Sequence, residues 1–270
     1  MSYSSLLIAH DGSRHSGVVI DALGPLLRPG IAVTLVHVED VEGEGSEGVT
    51  ASERALLEHG VAYVRRDIPS GDPAGVILDI AERLKPDLVA MSTHGRSGVQ
   101  RWIRGSVAER VLRSCPVPLF MINPFTHDGT DMNSILVPLD RTGGSAEILD
   151  SLLPLARAYA SRLTLLYVDR DDPSALPGQA ALRRRTREKD VEAWLAGPRR
   201  RAEEEGLEVD VRVAFGDVAV EILRLAQRGE HDLVAMSTHA RAGASRWLLG
   251  SIAEKVMREC GIPVLLHRVS

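Results

Sequence analysis

The chain has 270 residues, 44% of them hydrophobic and 26% charged, with a formal net charge of −5. That is room for two ordinary domains at a normal globular composition, and it offers neither a general basic surface for nucleic acid nor an acidic tail. No apolar run approaches the roughly 18 residues of a membrane span, and the N-terminus lacks the charged and apolar regions of a signal peptide, so we expect a cytoplasmic protein.

In chain order, the first half alternates short apolar runs with helical patterns. Strands are expected over 4–9, 32–38, 62–66, 87–92 and 117–122, and helices over 17–27, 52–59, 73–84 and 107–114. The helix over 73–84 is the clearest. Val76, Ile77, Ile80, Ala81 and Leu84 share one face, and Pro73 stands in the first turn, where a missing amide hydrogen does no harm. The Gly/Glu-rich run "EDVEGEGSEGVTASER" reads as a surface loop. "LVAM" and "PLFMI" are continuous apolar strands, as in a parallel sheet covered on both faces.

The second half repeats the first. "DLVAMSTH" begins at Asp87 and recurs unchanged at Asp232, 145 positions later. "LLIAHDGS" is answered by "ILVPLDRTGGS", "VTLVHVED" by "LTLLYVDR", Gly71-Asp72 by Gly216-Asp217, and "SVAERVLRSCPVPLFMI" by "SIAEKVMRECGIPVLLH". Order and spacing are kept, so a whole domain is duplicated rather than a short solenoid unit. We expect domains over 1–123 and 134–270 with a linker over 124–133. Alternating strands and helices imply an α/β fold: two tandem open doubly wound parallel sheets of five strands each, in the order 3-2-1-4-5 with right-handed crossovers. Cys115 and Cys260 share the repeat offset and read as equivalent buried small residues rather than a disulfide or redox pair.

Open α/β sheets bind ligands at the carboxyl ends of strands where the winding reverses, here between the first and fourth strands. Strand one ends at Asp11, and strand four ends at Ser92 before a loop holding Gly95, Arg96, Arg101 and Arg104. Gly105 and Ser106 then open the last helix. Glycines admit close backbone approach, a helix N-terminus presents free amides, and arginines suit phosphate oxygens. This is the outline of an anion site for a nucleotide polyphosphate, with Asp11 placed to accept from ribose hydroxyls. Each feature also has a plain alternative: Gly105-Ser106 as a helix cap, the arginines as a solvated face, Asp11 as a cap of the first helix. His94 and His239 match each other but have no carboxylate or cysteine at metal-ligand spacing. Trp102 and Trp247 read as loop anchors.

These residues closely resemble the universal stress protein family in its tandem two-domain form. The family's nucleotide motif G-2x-G-9x-G-[ST] is met by Ser92-Thr-His-Gly95, nine residues, then Gly105-Ser106, and again by Ser237-Thr-His-Ala240, nine residues, then Gly250-Ser251. The resemblance implies a Rossmann-like fold of the adenine nucleotide alpha hydrolase type and ATP as ligand, with Mg²⁺. In the first half it assigns Asp11 to ribose, Val38 to adenine, and Ser92, Gly95, Gly105, Ser106 and Val107 to the phosphates, beside which Arg96 stands as the charge read above. In the second half it assigns Asp140 to ribose, Val168 to adenine, and Ser237, Ala240, Gly250, Ser251 and Ile252 to the phosphates, and Arg241 is a further candidate there. Serine replaces the first motif glycine in both halves, Ala240 replaces the second glycine, and Leu249 stands where the first half has Arg104, so the first site is expected to bind more tightly. The resemblance also implies pairing through the fifth strands, giving an intramolecular pseudo-dimer, with a homodimer and an unidentified protein partner open. No G-x-x-x-x-G-K-[ST] sequence occurs, and each loop lacks lysine, so at most slow ATP hydrolysis is expected. The competing reading is a nucleotide-free adaptor using the duplicated fold as a binding surface. A ligase or nucleotidyltransferase would require S-G-G-x-D-S or H-x-G-H near strand one, and "HDGSRHSG" is neither.

Overall fold

The computed structural model describes residues 3–10, 14–38, 46–68, 72–92, 106–122, 132–141, 144–170, 177–239 and 250–269. The first half runs β1 (Ser5–His10), α1 (Arg14–Ala22), β2 (Ala32–Val38), α2 (Ser46–Glu58), β3 (Tyr63–Ile68), α3 (Pro73–Leu84), β4 (Leu88–Ser92), α4 (Ser106–Ser114) and β5 (Leu119–Ile122). The second repeats this as β6 (Ser134–Pro138), α5 (Ile148–Ala158), β7 (Arg162–Asp169), α6 (Pro177–Glu204), β8 (Val209–Phe215), α7 (Val218–Ala226), β9 (Leu233–His239), α8 (Ser251–Glu259) and β10 (Val264–Val269). Helix α3 has the bounds its periodicity predicts. Helix α2 begins earlier than the expected 52–59, so the end of the Gly/Glu-rich run is helical from Ser46. One reason lies further along that helix: Leu56 is fully buried, and buried Ser52 meets His10 Nε2 at 2.6 Å.

Each half has the expected strand order, but the two sheets are not separate. They form one ten-stranded sheet, β3-β2-β1-β4-β5-β10-β9-β6-β7-β8. The joint is the antiparallel pair β5–β10, with Val264 opposite Met121 and Leu266 opposite Leu119. The fifth strands thus pair within one chain and join the two five-stranded sheets into one. The physical reason is that each fifth strand is strongly apolar and ends its own sheet, so its open backbone edge is satisfied by the other.

Side chains alternate across the sheet and build two core layers. Leu6, Ile8, Leu35, Phe120, Ile135 and Leu165 face α1, α2, α5 and α6. Leu7, Val36, Val89, Met121, Leu136 and Val234 face α3, α4, α7 and α8. Both layers run through both halves, which is why the strands read as unbroken apolar runs.

Duplication extends to the caps. Asp72 accepts from Gly75 N at the start of α3, and Asp217 from Val220 N at the start of α7. Asp87, the first residue of the exact repeat, clamps the start of β1: its Oδ2 accepts from Ser4 N at 2.7 Å and Ser5 N at 2.9 Å. Partial burial works against its charge, but the hydrogen bonds from Ser4 and Ser5 prevail and hold its pKa below the usual carboxylate value. Asp232 makes the equivalent bond from Ser134 N at 2.9 Å.

The seam between the halves carries polar contacts as well. Tyr3 donates to Ser151 O, and Tyr159 donates to Ala22 O. Ala22 and Ser151 lie eleven residues beyond Asp11 and Asp140, so equivalent carbonyls are bonded from opposite halves. Arg268 donates to Arg113 O at 3.0 Å and Cys115 O at 3.3 Å, closing the C-terminal end of α4 from the other half. The halves differ here too. Ser151 Oγ lies 2.7 Å from His267 Nδ1, and His267 Nε2 lies 3.7 Å from Glu147 Oε2. At the matching positions the first half has apolar Ala22, Ile122 and Val18.

Cys115 and Cys260 are free and buried, and burial pushes each thiol up to about 11. Among the described residues no helix is long and apolar enough to cross a membrane.

Candidate functional site

In the second half the predicted crevice is a cavity of about 410 Å³. Three strand ends open into it. Pro138, Leu139 and Asp140 come from β6 and the residues after it, Leu166, Val168 and Arg170 from β7 and its end, and Met236, Ser237 and Thr238 from β9. Val218 and Ile222 of α7 form an apolar wall, and Gly250, Ser251 and Ile252 bring in the N-terminus of α8. The reason is topological: β6 and β9 are neighbours whose outgoing connections lie on opposite faces, so their carboxyl ends diverge.

The ceiling over β6 is shaped by Ser145. Its hydroxyl donates to Asp140 O at 2.6 Å and accepts from Asp140 N at 3.2 Å, folding the chain after β6 into a tight loop. Gly144 in that loop has φ +101°, where a Cβ would collide with Val269 Cγ1. The loop leaves Asp140 exposed at the cavity.

The floor is the α8 terminus. Gly250 is its N-cap in an extended conformation, with no side-chain cap bond, and the first amides of a helix have no intrahelical acceptor. With the helix dipole these amides favour an anion. Thr238 stands over them. A Cβ on Gly250 would lie 3.9 Å from Thr238 Oγ1, and this oxygen is shut off from solvent with no hydrogen-bond partner among the described residues.

The second-half residues singled out from the sequence therefore gather at one place: Asp140, Val168, Ser237, Gly250, Ser251 and Ile252 all line the cavity. Ala240 and Arg241 lie outside the described residues. Ser237 reaches the wall, but its hydroxyl donates to Ser145 O at 3.0 Å, so it braces the loop that carries Asp140. In the first half, Ser92 is buried at the end of β4, Val107 is half-buried in the first turn of α4, Val38 ends β2 and Ser106 begins α4. Asp11, Gly95, Arg96, Arg101, Arg104 and Gly105 lie outside the described residues.

Sequence reasoning missed Arg170, Ser145 and Thr238. Thr238 was in plain sight as the second residue of Ser-Thr-His, but only strand alternation from Met236 puts it on the cavity face. Ser145 was visible as the serine five residues beyond Asp140, a spacing suited to a side-chain-closed loop. Arg170, two residues after Val168 in "LTLLYVDR", had no separate signal.

Comparison with known proteins agrees with this architecture. The model of the Universal stress protein family matches residues 2–123 and again 132–268. A universal stress protein of Methanocaldococcus jannaschii is 28% identical over 152 residues, which cover 54% of this chain and 89% of that protein. Among solved structures, a universal stress protein from Archaeoglobus fulgidus superposes with a TM-score of 0.68 at 21% identity, covering 99% of both chains. A protein of Pseudomonas aeruginosa described as functionally unknown gives 0.72 at 16% identity, over 98% of this chain and 92% of that one. The full-length likenesses match the ten-stranded architecture, and the double match of the family model accounts for the internal repeat: the chain belongs to the universal stress protein family and carries its domain twice.

Proposed function

We propose that the chain is an adenine-nucleotide-binding switch or scaffold of the cytoplasmic stress response, with ATP and Mg²⁺ as its ligands. One observation carries the reading: the cavity of about 410 Å³ joins an apolar wall, an exposed carboxylate and an open helix N-terminus in a single crevice. Each has a counterpart in the nucleotide. The wall of Val218 and Ile222 suits a base, with Val168 at the strand end beside it. Asp140 suits ribose hydroxyls, which donate to a carboxylate. The amides of Ser251 and Ile252 suit phosphate oxygens. Ala240 and Arg241 complete this second site in the reading. In the first half, Asp11, Val38, Ser92, Gly95, Arg96, Gly105, Ser106 and Val107 form the equivalent site, and Gly95 and Arg104 make it the tighter of the two. Hydrolysis is at most slow, because the loops supply no lysine to clamp the transferring phosphate.

The test is to denature freshly purified protein and quantify released adenine nucleotide, then to titrate the emptied protein with Mg-ATP while following its melting temperature. One or two equivalents, with loss of the weaker site in Asp140→Ala, is the expected result. No released nucleotide and no melting shift at millimolar Mg-ATP would refute the reading and leave the adaptor alternative in its place.

A further inference from the structure

We propose that Arg170 sets the base preference of the second-half cavity, its guanidinium donating to the paired acceptors of guanine, so that this half takes a guanine nucleotide in preference to an adenine one. The inference rests on the nucleotide reading: ribose and phosphate keep the seats given above, and the base is what it names.

Strand alternation places the residue. Leu166, Val168 and Arg170 leave β7 on one face and all line the cavity, passing from buried through half-buried to exposed. Across from them on α7, Ile222 is buried and Val218 half-buried. The two walls bound a slot that is apolar at its floor and charged at its rim. The α7 side is tied to the β7 side by Gly216 N, which donates to Asp169 O at 2.9 Å, and Asp169 is held from the other face by Arg187 at 2.8 Å. A planar base lying in this slot has Val168 and Val218 on its faces and presents a polar edge to Arg170. The phosphate seat is elsewhere. The α8 terminus lies against the end of β9, and β7 is two strands away, roughly 10 Å at ordinary strand spacing.

The guanidinium is also uncommitted. Neighbouring arginines are engaged, Arg141 over the Tyr167 ring, Arg187 with Asp169 and Arg224 with Glu221. Arg170 has no hydrogen bond or ion pair among the described residues. Its planar fork of donors matches two acceptors side by side. Guanine offers such a pair in O6 and N7, whereas adenine sets its N6 amino donor beside N7 and opposes one arm of the fork with another donor. The duplicated sequence supplies the contrast. "VTLVHVED" ends in Asp40 where "LTLLYVDR" ends in Arg170. A carboxylate accepts where a guanidinium donates, which suits the adenine amino group; Asp40 itself lies outside the described residues. The two halves thus carry opposite charges at one rim position and differ in the base they favour.

Calorimetry on the full chain follows ADP, GDP and inosine diphosphate in the binding component that Asp140→Ala removes. GDP should bind roughly tenfold to hundredfold more tightly than ADP. Inosine diphosphate, which keeps O6 and N7 but has no 2-amino group, should follow GDP. Arg170→Met should bring GDP down to the ADP level and leave ADP unchanged, and Arg170→Asp should favour ADP. Neither variant should melt lower than the parent without ligand, because the side chain has no internal partner to lose. Equal affinity of the parent for GDP and ADP, inosine diphosphate following ADP, or a clear fall in the ligand-free melting temperature would each overturn the proposal. So would equal losses of GDP and ADP in Arg170→Met, which would place the guanidinium on phosphate instead. A parent chain that binds none of the three, or whose binding survives Asp140→Ala unchanged, refutes the nucleotide reading of this cavity, a result separate from any behaviour of the Arg170 variants.

Discussion

Gly144→Ala tests how tightly the loop above the cavity is held. Two effects add. The backbone at φ +101° is in the left-handed region, where a Cβ costs about 1 kcal/mol. The new methyl also collides with Val269 Cγ1 and lies 3.2 Å from both Val269 Cγ2 and Glu147 Oε1. Overpacking of this kind costs about 1–3 kcal/mol, so the total is about 3 kcal/mol. For a chain of this size that lowers the melting temperature by roughly 6–12 °C. The measurement is urea unfolding of parent, Gly144→Ala, Val269→Ala and the double variant. Removing the valine methyls relieves the collision but not the backbone strain, so the double variant should regain most of the overpacking share while about 1 kcal/mol persists. The same substitution should weaken nucleotide binding, because Gly144 leads into Ser145, which fixes Asp140. A Gly144→Ala protein within about 0.5 kcal/mol of the parent would refute the packing argument, and additive effects of the two substitutions would show that Val269 is not the obstacle.

Three further outcomes follow from the seam and the core. Burial holds both His267 and His231 below the ordinary histidine pKa of 6.5, although Glu147 and Asp150 pull His267 upward and a hydrogen bond to the Leu225 backbone pulls His231 upward. The unfolded chain binds these protons first, so their stabilising share is complete above about pH 6.5 and is lost as the pH falls towards the native values. Urea midpoints should therefore drop between pH 7.5 and 5, with a shallower drop in His267→Gln; a midpoint that holds steady or rises would contradict the burial argument. Cys115 and Cys260, buried with thiols raised to about 11, should resist a thiol reagent in the native protein and react after unfolding; fast native labelling at pH 8 would rule this out. Arg268→Met removes both donors to the end of α4 while keeping much of the aliphatic stem, and should lower stability by about 1–3 kcal/mol. An unchanged urea midpoint would mean those carbonyls are equally well served by water.

Much of the fold was legible because its signals are local and duplicated. Helix α3 announces itself by spacing and Pro73, the strands by unbroken apolar runs, and the domain by its recurrence. The start of α2 was not legible: Gly48 and the β-branched Val49 and Thr50 lower helix propensity, and what favours the helix, buried Leu56 and the Ser52–His10 contact, is tertiary. In the site, the sequence placed Asp140 and the α8 terminus together because the topology rule applies to strand ends. It did not show that Ser237 turns its hydroxyl to the backbone carbonyl of Ser145. Adjacent small hydroxyl residues look alike in a sequence, and only the fold shows which of them braces a loop. The polar set Glu147, Ser151 and His267 was hidden for a different reason, since His267 is more than a hundred residues from the other two and meets them only where α5 packs on β10.

The β5–β10 joint has a consequence for assembly. Were the halves separate molecules, joining them would be a concentration-dependent equilibrium, and two copies of either half could pair with themselves as readily as with each other. A covalent connection makes the encounter intramolecular and fixes the stoichiometry at one of each. The two sides of the seam are then free to diverge, because neither has to match itself. Val18, Ala22 and Ile122 can face one side while Glu147, Ser151 and His267 face the other, and Tyr3 and Tyr159 can cross from non-equivalent positions. The joined chain therefore brings two related but non-identical sides to one seam in fixed one-to-one proportion.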